Sequence, residues 1–112
     1  MSTIPPINLQ YLNQISDDDQ DFELELLNLF IEDAKLHIDA ALVALEGQDY
    51  KALEREAHHL KGSSGNVGAQ SMHTLAYDLE QQSLKFSSEG VLEKIDQLKV
   101  LLLEIETFVA NW

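Results

Sequence analysis

Residues 26–50, LLNLFIEDAKLHIDAALVALEGQDY, decide the fold. Leu27, Phe30, Ala34, Ile38, Ala41 and Leu45 recur at spacings of three and four, the period of one helix face. The pattern predicts a single long helix from Asp18 to Glu46. Gly47 is placed to stop it, and Asp49 to cap the helix that follows.

Upstream, SDDDQDF reads as the start of this helix. Ser16 or one of the aspartates caps it, and Asp17, Asp18, Asp19 and Asp21 suit the positive end of the helix dipole. That role accounts for the acidic run without a metal. Before it, INLQYLNQI carries Ile7, Leu9, Leu12 and Ile15, a short helix packed on the main body, and Pro5-Pro6 ends a tail over residues 1–6. Downstream, Leu53, Ala57, Leu60, Ser64 and Val67 mark a third helix ended by Gly68. Met72, Leu75, Ala76, Leu79, Ser83 and Phe86 mark a fourth. After the loop at Ser87–Gly90, Val91, Ile95, Leu98, Leu102, Ile105 and Val109 mark a fifth, with Phe108 and Trp112 closing the bundle's end. Four long amphipathic helices on short turns give an all-α, antiparallel up-down-up-down four-helix bundle with a short additional N-terminal helix. Residues 7–112 form one domain, with no internal repeat and no strand signal.

Composition narrows the function. Seven basic against twenty acidic residues leave a net charge of -13, which repels phosphate backbones and anionic lipids. Nucleic acid and membrane are poor partners, and a cytoplasmic location follows by default. No cysteine is present, which excludes disulfides and thiolate metal sites. The N-terminus lacks the basic and apolar regions of a secretory signal. At 112 residues there is no room for a separate nucleotide-binding lobe.

One stretch departs from this helix-forming background: EREAHHLKGSSGNVGA, residues 54–69. Glycine in a helix interior is about 1 kcal/mol worse than alanine, so Gly62 and Gly65 need a reason. At about 100° per residue, His58 points away from the stripe of Leu53, Ala57 and Leu60, with Lys61 and Gly62 one turn on and Gly65 a turn beyond. His59 lies about 100° round the wheel, beside Arg55, Glu56, Ser63 and Asn66, so the two imidazoles diverge. A neutral imidazole is a good nucleophile near neutral pH. A phosphoryl group on His58 would find a counter-charge in Lys61, and the missing side chains at Gly62 and Gly65 would clear space for a donor. By spacing alone, a solvent-facing histidine near a glycine-rich helix end is more often an ordinary surface residue.

The motif AHHLKGSSGNVGA resembles the signature of histidine-containing phosphotransfer (HPt) domains, an Ala-His-x-Leu-Lys-Gly-Ser-Ser core followed by Gly-Ala. Ala57, His58, Leu60, Lys61, Gly62, Ser63, Ser64, Gly68 and Ala69 fill those positions. The resemblance covers nearly the whole chain and includes the long helix with its Gly-x-Asp turn and LAYDLE in the fourth helix. It implies a phosphoryl carrier, not an autonomous enzyme. His58 would be phosphorylated, passing the group between aspartates of response-regulator receiver domains fed by a hybrid sensor histidine kinase. Lys61 would assist electrostatically and Gly62 would allow close docking. Glu80, on the fourth helix facing the histidine, would orient the imidazole. Leu9, Leu12, Phe22 and Leu26 are candidates for an apolar receiver-docking patch. The chain itself would need no cofactor, with Mg2+ expected on the receiver, and would act as a monomer. A helical adaptor that binds receivers or kinases without being phosphorylated is the alternative, which the presence of both His58 and Lys61 disfavours.

His37 and His73 are expected to be structural or surface residues. The spacings of His37, His58, His59 and His73 give no sign of a metal site. Met1 and the short tail favour a free-standing protein over a piece of a hybrid kinase.

Overall fold

The computed structural model describes residues 6–112, so all but Pro6 of the expected tail lies outside the described residues. Five helices follow in order: α1 (Leu9–Ser16), α2 (Gln20–Glu46), α3 (Tyr50–Asn66), α4 (Gln70–Leu84) and α5 (Val91–Ala110). The 27 residues of α2 rise about 40 Å at ~1.5 Å each. This matches the 42 Å long axis of the molecule. Short turns force α3, α4 and α5 to reverse direction in succession. α2 packs on α3 and α5, and α4 packs on the same two, which closes the four-helix bundle; α1 lies against α2.

The predicted stripes form the core. Leu27, Ile38, Leu53, Leu60, Leu79, Ile95 and Leu98 are buried, with Leu12 of α1 and Ile7 ahead of it. Burying a Leu or Ile side chain contributes about 1.5–3 kcal/mol, so alignment of these stripes supplies most of the drive for association.

Helix ends show where local chemistry acts. Asp19, rather than Ser16, caps α2 by accepting from the Phe22 N–H at 3.1 Å. Ser16 is the buried last residue of α1, and its hydroxyl donates to Glu23 at 2.8 Å. That bond serves a carboxylate only 1% exposed. Asp49 caps α3 through the Ala52 N–H, as expected. At the end of α2, the left-handed residue is Gln48 (φ 54) rather than Gly47. The Gln48 N–H donates to Leu45 O and the Asp49 N–H to Ala44 O, the paired bonds of a Schellman turn. α3 ends in the same motif with Gly68 (φ +78) at the left-handed position. Here Gly68 N–H donates to Gly65 O and Ala69 N–H to Ser64 O.

Phe86 departs from expectation. The apolar stripe places it on the core face of the fourth helix, yet α4 ends at Leu84 and Phe86 has φ 54. Its ring is exposed and meets Tyr50 edge-on at 6.0 Å. The chain turns left-handed at Phe86 itself, so the helical period that would carry its ring inward is already broken there. At the other end, Phe108 and Trp112 pack edge to face at 5.9 Å.

Candidate functional site

α3 buries Leu53, Ala57, Leu60 and Ser64, which leaves His58 pointing outward with a side chain 67% exposed. The Gly68 turn folds α4 back antiparallel to α3, bringing Glu80 opposite His58. Glu80 Oε2 accepts from His58 Nδ1 at 2.6 Å, and Glu80 Oε1 accepts from Lys61 Nζ at 2.8 Å. The Glu80 side chain is only 7% exposed, so one buried carboxylate ties together the histidine and lysine of α3. Burial alone would raise the Glu80 carboxyl. Hydrogen bonds from Lys61 and His58, with the positive charge they bring, outweigh it and hold the carboxyl below its ordinary value. Lys61 also lies 5.8 Å from the centre of the Tyr77 ring, within cation–π range.

The consequence for His58 is a fixed tautomer. With its proton on Nδ1 and donated to Glu80, the imidazole keeps the Nε2 lone pair free on the exposed side. A nucleophile aimed at solvent with a carboxylate behind it is the arrangement that activates histidine toward an electrophile.

The two glycines separate in role. A Cβ at Gly62 would meet nothing within 4 Å, so the surface beside His58 is open there. Gly65 does not add to that opening. A Cβ there would stand 3.1 Å from His73 Nδ1, because the His73 ring of α4 fills the gap. His73 Nδ1 in turn donates to Lys61 O at 2.8 Å, fastening α4 to α3. Gly65 therefore permits close helix packing rather than access.

His58 and His59 do diverge. His59 faces α2, where its Nε2 is 2.6 Å from Asp33 Oδ2, and its ring stacks on that of His37 at 3.7 Å. Two of the four histidines thus converge, which their spacing did not suggest. The helix-to-helix rotation that brings them together is not encoded in either helix alone.

Of the apolar patch, Phe22 is exposed, Leu9 and Leu26 are half-buried, and Leu12 is fully buried. Leu12 is core and cannot serve for docking without unfolding α1. Tyr11 and Leu29 are exposed apolar residues of α1 and α2 outside the expected patch; Ile15, expected on the face of α1 that packs on the main body, is exposed instead. The signal for Tyr11 and Leu29 is the same periodicity, read from the opposite face.

The Hpt domain family model matches residues 25–109, a span that includes the His58–Lys61–Glu80 cluster. The chain belongs to the Hpt domain family. Histidine-containing phosphotransfer protein 2 of Arabidopsis thaliana is 30% identical over 100 residues, covering 86% of this chain and 64% of that protein. Histidine-containing phosphotransfer protein 5 of the same plant is 30% identical over 81 residues, 70% of this chain and 52% of the relative. This Hpt chain therefore spans between about half and two thirds of the length of the curated relatives it matches. Among solved structures, histidine-containing phosphotransfer protein B (HptB) from Pseudomonas aeruginosa PAO1 superposes with a TM-score of 0.89 at 22% identity, over 97% of this chain and 95% of that one. The HPT domain from the Hpt sensor hybrid histidine kinase from Shewanella gives 0.77 at 16% identity, over 96% of each chain. Both share the helical-bundle fold. No helix among the described residues is long and apolar enough to cross a membrane.

Proposed function

We propose that this Hpt domain carries a phosphoryl group on His58 between receiver-domain aspartates in a two-component phosphorelay. The supporting observation is the 2.6 Å bond from His58 Nδ1 to a buried carboxylate, which leaves Nε2 exposed as the nucleophile. The Nε2 lone pair attacks phosphorus of a receiver acyl phosphate. As the N–P bond forms, the bond from phosphorus to the aspartyl oxygen breaks, and its electron pair returns the aspartate to a carboxylate. The phosphorylated imidazole keeps its Nδ1 proton and a positive charge, which Glu80 Oε2 stabilises. Transfer to a second receiver reverses these steps.

Lys61 acts differently from a free counter-charge. Paired with Glu80, it cancels the carboxylate's charge, so the incoming phosphoryl meets no net anion behind the imidazole. Gly62 gives the receiver room to approach. Phe22, Leu9 and Leu26, with Tyr11 and Ile15 beside them in sequence, offer the apolar contact. The receiver supplies the acidic pocket and its Mg2+, and this domain, a monomeric cytoplasmic carrier, has no kinase activity of its own. A hybrid sensor kinase is the upstream source.

The test is incubation with a phosphorylated receiver, reading acid-labile, alkali-stable label. Label is expected on the wild type, none on His58→Gln, and most of it on His59→Gln. Retention on His58→Gln with loss on His59→Gln overturns the assignment. Tight receiver binding without label identifies a non-phosphorylated adaptor instead.

A further inference from the structure

On the α2–α3 face, Asp33, His37 and His59 bring one carboxylate oxygen and two imidazole nitrogens within 4.8 Å of one another. We propose that these three residues form a binding site for a divalent transition cation of the zinc class, bridging α2 to α3. Asp33 and His37 are one turn apart on α2, the i,i+4 spacing that places two ligands side by side on a helix. His59 completes the set from α3.

Two features argue for a cation rather than an incidental cluster. The first is the orientation of His37. Its Nδ1 lies 2.5 Å from Glu56 Oε2, and its Nε2 faces Asp33 Oδ1 at 3.4 Å. In the tautomer that donates from Nδ1 to Glu56, His37 turns its Nε2 lone pair toward the Asp33 carboxylate, where the two can share a cation. Metal-bound histidines characteristically donate their other nitrogen to a carboxylate in this way. The second is that the Nε2 atoms of His37 and His59, on different helices, face the two oxygens of one carboxylate, 3.4 Å from Asp33 Oδ1 and 2.6 Å from Asp33 Oδ2. Two nitrogens and one oxygen suit zinc, nickel or copper, whereas magnesium and calcium prefer oxygen alone. Three protein ligands leave a position for water. The cation would cross-link α2 and α3 on the side of α3 adjoining His58, without using His58 itself.

Calorimetric titration of the intact chain with Zn2+ is the test, with Mg2+ as the comparison cation. The expected result is saturable binding of one Zn2+ per chain and none of Mg2+. His37→Gln and His59→Gln should each weaken Zn2+ binding at least ~10-fold, and Glu56→Gln by about 10–100-fold. His73→Gln should leave it unchanged. The His59 side chain is 44% exposed and outside the core, so its variant is expected to keep the fold, which circular dichroism verifies. Absence of saturable Zn2+ binding, equal binding of Mg2+, or undiminished binding in the His37→Gln/His59→Gln double variant would each overturn the site.

Discussion

Replacing Glu80 by glutamine exchanges one carboxylate oxygen for an NH2 group and keeps the shape of the α3–α4 junction. Lys61 can only donate, so it must retain the amide oxygen at the place where it now meets Oε1 at 2.8 Å. The amide NH2 is then left facing His58 Nδ1, where Oε2 stood at 2.6 Å. A donor at that point turns Nδ1 into an acceptor and moves the imidazole proton to Nε2, the atom proposed to attack phosphorus. A neutral hydrogen bond of about 0.5–1.5 kcal/mol favouring that tautomer leaves only ~30% to ~7% of the reactive form, a loss of roughly 3- to 14-fold. Glu80→Ala imposes no tautomer and loses roughly 2-fold by this route, taking the two tautomers as about equal. Both variants also lose the charged acceptor for the phosphorylated imidazolium. A charge-assisted bond of about 1.5–3 kcal/mol implies a further factor of ~10 to ~150. Glutamine should therefore be the worse replacement, although it is the closer in shape. Single-turnover transfer from a phosphorylated receiver, compared at one fixed pH, measures the rates. Nitrogen-detected NMR of the His58 ring reads the tautomer directly. Retention of the Nδ1–H tautomer in Glu80→Gln, or faster transfer in Glu80→Gln than in Glu80→Ala, would refute the reasoning.

Three further outcomes are expected. Gly62→Ala, with open space around its new methyl, should raise stability in urea unfolding by ~1 kcal/mol while slowing transfer from receivers. Gly65→Ala should instead lose about 1–3 kcal/mol by crowding His73; equal effects on stability at the two positions would contradict their assigned roles. Gln48→Gly, which relieves a left-handed non-glycine at φ 54, should stabilise the domain by about 1 kcal/mol, and an unchanged urea midpoint would count against strain there. Because the Glu80 carboxyl is held below its ordinary value, its stabilisation is present above the unfolded carboxyl's value, near ~4.3, and lost as pH falls through the lower folded one. The stability gap between wild type and Glu80→Gln should accordingly shrink on acidification from pH 7 to about 3; a gap independent of pH would exclude this linkage.

The outward direction of His58 and its divergence from His59 were legible because they depend only on the pitch of a single helix. The same holds for the stripes of α2 and α5. Glu80 entered through the family motif: pairing it with His58 from first principles needs the geometry of the Gly68 turn. Period also says nothing about where a backbone turns left-handed, so it puts Phe86 inside and favours Gly47 for the role that Gln48 fills. A missing side chain reveals a space but not its occupant, and His73 occupies the one at Gly65. Leu12 illustrates a further limit: in a short amphipathic helix, docking face and core face have the same composition. The approach of His37 to His59 depends on how α2 and α3 rotate against each other, a property of the pair.

His58 and Glu80 are 22 positions apart in the chain, and Lys61, His73 and the Gly68 turn all lie between them. The reactive geometry is thus a property of one helical hairpin, assembled from neighbours in sequence with little loop-closure entropy to overcome. α2 and α5 cover its inner face and α1 adjoins its turn. Under the proposed docking on α1 and α2, changes to those elements would alter partner choice without disturbing the hairpin, so recognition and reactivity could diversify separately.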